Sequence, residues 1–164
     1  MSISKYYSKF SNKYTISNII YFLCKFNINM ILIGSEAGQI YKLCNSKKDI
    51  DFLIDPNKQN LFKIYQFLQH YFDYNDFKNV MLLDNIRLKT NEKKYIELLK
   101  NPDLLSYKDI VKNTTKHTYF GQTIPVISEY DYIRYVKRGV EKFKNNYHSL
   151  KFKQILTNYE IKHR

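Results

Sequence analysis

The chain has 164 residues, four of them glycine and three proline, and its 27 Lys and Arg against 15 Asp and Glu give a formal net charge of +12. That length suits a single domain over 1–164, able to bury about two-thirds of its unfolded surface, with no Gly-, Pro- or Ser-rich linker to divide it. No run approaches the ~18 apolar residues of a membrane span, residues 1–7 lack the charged-then-apolar order of a secretory signal, and Cys24 and Cys44 stand apart from any metal-ligand spacing; the expectation is a soluble, cytoplasmic protein with no membrane partner and no zinc, its thiols packed in a reducing compartment.

Along the chain, Ile16, Ile19, Ile20, Leu23 and Cys24 recur at helical spacing and predict an amphipathic helix within 14–27. Met30–Ile33 is an apolar run of strand length, closed by Gly34-Ser35 and followed by a short helix over 36–43. A second strand starts at Asp49-Ile50-Asp51 and runs to Ile54. Pro56-Asn57 then breaks the chain, and Leu61, Ile64, Tyr65, Leu68 and Tyr71 or Phe72 mark a second amphipathic helix. Segments 80–83, 86–88 and 95–99 read as strands, with Asp84-Asn85 and Asn91-Glu92 as turns. Tyr107, Ile110 and Val111 fit one or two helical turns. Residues 118–120 and 123–127 form a strand pair about Gly121-Gln122, and Ser128 with Asp131 resembles a capping box. A helical region follows to about Tyr159, broken near Gly139 or Asn145-Asn146. The fold class is α/β (α+β): a small mixed sheet flanked by helices, a core of about 28–127 and a C-terminal helical segment of about 128–160.

The chemistry concentrates in MILIGSEAGQIYKLCNSKKDIDFLID, residues 30–55. A strand alternates its side chains, so Asp49 and Asp51 point the same way. Two adjacent carboxylates repel and raise each other's pKa unless a cation compensates, and their oxygens suit Mg²⁺. Gly34 lets backbone N–H groups approach an anion, Ser35 adds a hydroxyl, and the start of the following helix favours negative charge. Alone, a Gly-Ser turn is an ordinary turn and Asp-x-Asp an ordinary solvated strand start. The conjunction of strand, Gly-Ser, short helix and Asp-x-Asp is what carries information.

On those residues the segment resembles the core of the DNA polymerase β-type nucleotidyltransferase superfamily, with Gly34, Ser35, Asp49 and Asp51 at the pattern's positions. It is most similar to the small single-domain members of toxin–antitoxin modules and to antibiotic nucleotidyltransferases. It departs from many of these in Ser35, where a second Gly is common, and in Asn45-Ser46-Lys47-Lys48, where an Arg-x-Thr often precedes the Asp. The resemblance implies a nucleotidyltransferase fold in which Asp49 and Asp51 hold one or two Mg²⁺ (or Mn²⁺) ions and an NTP donates its nucleoside monophosphate. It further implies a third acid from a later strand, helping to hold the metal and able to accept the acceptor's proton. Glu97, flanked by apolar residues in a strand-length run, is the first candidate, although 93–100 has helix-forming composition; Asp84 is the second. Lys137 and Lys142 fall where the resemblance implies contacts to the triphosphate, with Lys142 in place of an Arg and so without its bidentate fork.

The basic balance favours RNA, tRNA among the options, as acceptor over a cationic antibiotic. The Asn, Lys, Ile and Tyr bias runs through the whole chain, so any single lysine carries little information. His70, His117, His148 and His163 are dispersed and read as surface or packing residues. The competing expectation is a catalytically silent copy of the fold that binds nucleic acid or a partner protein, such as the other half of a toxin–antitoxin pair.

Overall fold

The structure is a computed structural model that describes residues 6–7, 13–45, 49–144 and 147–164. Its elements are β1 (Tyr6–Tyr7), α1 (Ile16–Lys25), β2 (Met30–Ile33), α2 (Gly34–Ile40), β3 (Ile50–Ile54), α3 (Lys58–Phe72), α4 (Phe77–Leu82), β4 (Asn85–Lys89) and β5 (Tyr95–Leu99). There follow α5 (Tyr107–Ile110), a 3₁₀ turn (Val111–Asn113), β6 (Thr115–Tyr119), β7 (Gln122–Val126), α6 (Glu129–Lys142) and α7 (Tyr147–Lys162). The strands form one mixed sheet in the order β1-β4-β5-β3-β2-β7-β6. Within it β2 runs antiparallel to β3 and parallel to β7, β3 parallel to β5, and the β4–β5 and β6–β7 pairs are hairpins.

Local chemistry places these elements. Thr15 accepts from Asn18 N–H while the Asn18 side chain accepts from Thr15 N–H, a capping box that starts α1. Helix α1 buries Ile16, Ile19, Ile20 and Leu23, as their spacing predicts. Asn57 caps α3 through Asn60 N–H. Asn60, 1% exposed, accepts from Asn29 N–H and donates to the carbonyls of Asn29 and Asp55, tying the start of β2 to the end of β3. Phe120 and Gly121, both at positive φ, make the tight turn between β6 and β7.

Several boundaries differ from the sequence reading, among them the short helix read over 36–43, which is α2 at Gly34–Ile40. Segment 80–83 is not a strand: Asp76 accepts from Asn79 N–H and starts α4, which buries Val80 and leaves Leu82 69% exposed. A four-residue apolar run does not by itself separate strand from helix, and the cap decides. Asn85, read as part of a turn, is the first residue of β4, and β6 begins at Thr115 rather than 118. Gly139 does not break α6. It lies inside the helix where an added Cβ would stand 2.5 Å from a ring carbon of Phe152, so it is the close-approach point of α6 and α7. Asn145-Asn146, the alternative break, and residues 46–48 lie outside the described residues.

Burial sorts the sheet. All four residues of β2 are buried, while β4 and β5 alternate strictly, sending Ile86, Leu88, Ile96 and Leu98 into the core. The opposite face of that hairpin carries Asn85, Arg87, Lys89, Tyr95, Glu97 and Leu99 and is only partly covered. No helix of the described residues is long and apolar enough to cross a membrane.

Candidate active site

Strand pairing brings the acids together from distant parts of the chain. Asp51 lies opposite Ile33 on one side and opposite Glu97 on the other. Glu97 in turn faces Arg87 across the β4–β5 hairpin. Asp49, two residues before Asp51 and on the same face, accepts from Tyr95 N–H at 3.0 Å through Oδ1 and from Arg87 Nη2 at 2.7 Å through Oδ2. Arg87 Nε stands 2.8 Å from Glu97 Oε1, and its guanidinium lies over the Tyr95 ring, 4.1 Å from the centroid.

The chain turns sharply where β2 meets α2. Gly34 has φ +68°, a conformation costly for any residue with a Cβ, and an added Cβ there would stand 2.5 Å from Asp51 Oδ2. Glycine is thus required twice, for the turn and for the space the Asp51 carboxylate fills. Gly34, Ser35 and the three acids line one wall of a cleft of about 230 Å³. The other wall comes from the C-terminal helices: Tyr132 and Tyr135 of α6, and His148, Lys151, Phe152 and Ile155 of α7.

The electrostatics follow from this enclosure. Burial, and then the charges of Glu97 and Asp49, push the Asp51 carboxyl up to about 7, with Lys151 and Arg87 pulling the other way. Burial raises the Tyr135 hydroxyl, and Asp51 adds to it. Tyr132 is raised by burial and by Cys44, whose Sγ lies 3.9 Å from its hydroxyl. Both cysteines are free and half-buried, in packing positions.

The other sequence candidates lie elsewhere. Asp84 is exposed, and its carbonyl accepts from Lys100 N–H at the far end of β5 from the cleft. Lys137 is exposed on α6 and lines no part of the cleft. Lys142 donates to Asp103 at 2.6 Å, an exposed pair. Ser128 accepts from Asp131 N–H as the cap requires, and its hydroxyl donates to Asp131 Oδ2. Arg87, Tyr132, Tyr135, His148 and Lys151 entered the site unannounced. For Arg87 a signal existed, since a hairpin folded about residue 92 sets residue 87 against residue 97.

The donor set suits a hard divalent cation. Three carboxylates share one face, Asp51 forms no ion pair among the described residues, and burial with like charge leaves it short of a compensating cation. As the side chains stand, no three acidic, His or Cys groups of the described residues converge on one point, because Asp49 and Glu97 are both turned onto Arg87.

No protein-family model matches the chain, and neither does any curated protein. Among solved structures it is similar to an antigenic nucleotidyltransferase-like protein from Paracoccidioides brasiliensis, with a TM-score of 0.56 and 14% identity over 89% of this chain and 74% of that one. The fold is nucleotidyltransferase-like. At that identity the likeness speaks for the fold alone, and the acids must be argued from their own geometry.

Proposed function

We propose that the chain is a small metal-dependent nucleotidyltransferase that moves a nucleoside monophosphate from an NTP to an acceptor hydroxyl, with RNA, tRNA included, as the favoured acceptor class. The observation that carries this reading is the Asp51–Glu97 pairing beside Gly34: two buried-edge carboxylates in register, with a third at Asp49, at the mouth of a strand–glycine–helix turn. Asp49, Asp51 and Glu97 would hold Mg²⁺ or Mn²⁺, which when bound neutralises the triphosphate and stabilises the oxygens of an in-line displacement.

The chain's own groups supply the rest. Gly34 and Ser35 line the cleft at the start of α2, and their backbone N–H groups would bind phosphate oxygens. Lys151, opposite the acids, would supply positive charge to the triphosphate, a role for which Lys137 and Lys142 are less well placed. Glu97 would accept the acceptor's proton. Phe152, Ile155 and the two tyrosines would keep water from the opposite side of the reacting phosphate. The net charge of +12 would draw a polyanionic acceptor to the surface.

One observation favours a second reading. Arg87 pairs with both Asp49 and Glu97, which would hold two of the three acids as a silent binding module would have them, including one half of a toxin–antitoxin pair. Incubating the protein with each labelled NTP, Mg²⁺ or Mn²⁺ and total RNA, beside an Asp49→Ala/Asp51→Ala variant, separates the two. Transfer by wild type alone supports the enzyme. Transfer to protein instead of RNA corrects the acceptor, and no transfer to any acceptor, with no metal-dependent NTP binding, leaves the binding module.

A further inference from the structure

Arg87 is held beside the cleft's acids by more than a surface ion pair. Its side chain is 21% exposed, and its two partners, Asp49 and Glu97, are 30% and 20% exposed. Each is fixed by the sheet: Glu97 by its register with Arg87, and Asp49 by the Tyr95 N–H. The Tyr95 ring covers one face of the guanidinium, so its plane and its fork are both set. Asn85, the next residue on the same face of β4, reaches Glu97 Oε2 at 3.5 Å.

The oxygens that Arg87 holds are the ones a metal would need. An ion such as Mg²⁺ binds carboxylate oxygens at about 2.0–2.1 Å with near-ideal geometry. Asp49 Oδ2, which accepts from Arg87 Nη2, and Glu97 Oε1, ion-paired to Arg87 Nε, cannot meet that demand while the guanidinium lies against them. Asp51, the remaining acid, has no such cation on it among the described residues.

The geometry points to Arg87 as a built-in counter-cation that clasps Asp49 and Glu97 when no divalent ion is bound, and that a metal must displace in order to draw all three acids together. This rests on the metal-site reading above and adds to it. Metal loading becomes a competition between two cations for the same oxygens, so the site binds its metal more weakly than three carboxylates would by themselves. Removing the guanidinium therefore tightens metal binding, whereas it would weaken binding if Arg87 only held the acids in position for the ion.

The test uses Mn²⁺ alone, with the free ion counted by its paramagnetic resonance signal, on the full chain and its Arg87→Gln and Arg87→Lys variants, each repeated with Asp51→Asn. Circular dichroism checks the fold. The expected result is Asp51-dependent Mn²⁺ binding at least about tenfold tighter in Arg87→Gln than in wild type, with Arg87→Lys between them because lysine keeps the charge and loses the fork. Equal or weaker binding in a folded Arg87→Gln overturns the proposal. If that variant does not fold, Arg87→Lys decides by the same criterion. Absence of Asp51-dependent binding in every protein defeats the metal site itself, and this inference with it.

Discussion

Replacing Gly34 by alanine tests the joint between the turn and the acids. Gly34 has φ +68°, where a Cβ costs ~1 kcal/mol or somewhat more. The added carbon would stand 2.5 Å from Asp51 Oδ2, nearly 1 Å closer than a comfortable C···O contact of about 3.3–3.6 Å. The carboxylate must then leave its rotamer, at a further ~0.5–1.5 kcal/mol. Together these destabilise the fold by ~2–3 kcal/mol, which lowers Tm by about 4–12 °C for a chain of this size. Gly121 is the internal control: its φ is +75° and nothing lies within 4 Å of an added Cβ, so Gly121→Ala carries only the conformational cost, ~1 kcal/mol. The assay is denaturant unfolding of both variants, paired with Mn²⁺ and NTP binding. A displacement near 1 Å at a reacting group costs on the order of 10²-fold in rate, so transfer collapses in Gly34→Ala and is unchanged in Gly121→Ala. In an Asp51→Ala background the excess cost of Gly34→Ala disappears, which is the signature of a pairwise clash. Equal stability losses in the two alanine variants, with metal binding intact, would refute the account of Gly34.

The remaining predictions probe charge and packing. Asp51 has its folded pKa raised to about 7 from an ordinary 3.8, so the folded state takes up the proton more readily than the unfolded chain. Stability in metal-free buffer therefore falls as pH rises from about 4 to about 7 and levels off above, by no more than ~4 kcal/mol, and Asp51→Asn flattens that slope in denaturant titrations. Lys151→Ala is expected to weaken NTP binding by about tenfold, a loss of ~1.4 kcal/mol, while Lys142→Ala, which breaks an exposed pair with Asp103, leaves binding within error; fluorescence titration with a labelled NTP reads both. Asn60→Ala strands the Asn29 N–H and two carbonyls, Asn29 and Asp55, in the core and costs ~2–4 kcal/mol in unfolding with no direct effect on the cleft. Gly139→Ala drives a carbon into the Phe152 ring and loosens α6 from α7, so NTP binding falls while Asp51-dependent Mn²⁺ binding holds.

What could be read from the sequence was local. The β2–Gly34–α2 turn and β3 show themselves in an apolar run, a glycine and a period of two, all within 26 residues, 30 to 55. The α1 and α3 faces follow from helical spacing. Segment 80–83 was misread because its apolar residues are too few to show a period, and Asp76, which starts the helix, lies outside the run. The neighbourhood of Glu97 and Asp51 comes from a parallel pairing across 46 residues, which no local pattern encodes. Arg87 escaped notice because in a lysine-rich chain a single cation looks like solvated surface. Tyr132 and Tyr135 sit at helical spacing in α6, which shows that a face exists but not that an acidic cleft lies under it, and Lys151 lies on a separate helix, α7.

The charge of the cleft and the charge of the chain have opposite signs, and that opposition constrains how the protein can work. A surface of +12 attracts a polyanion, yet at the cleft floor the polyanion meets Asp49, Asp51 and Glu97. At close range those three repel phosphate more strongly than distant lysines attract it, since screening removes the contribution of charges beyond about 8–10 Å. Arg87 neutralises part of that wall and Lys151 faces it, but burial, and then the charges of Glu97 and Asp49, still push the Asp51 carboxyl up to about 7. A phosphate chain can therefore settle there only if further positive charge arrives with it. On the proposed reading, a divalent ion carried in on the triphosphate would meet that need, would release Arg87 from two carboxylates and would lower the like-charge repulsion on Asp51, so metal, nucleotide and protonation state are expected to load as one event. Calorimetry in buffers of different ionisation enthalpy at about pH 6.5 checks this: proton release on adding Mg²⁺ and NTP together should exceed the sum of each added alone, and the excess should vanish in Asp51→Asn.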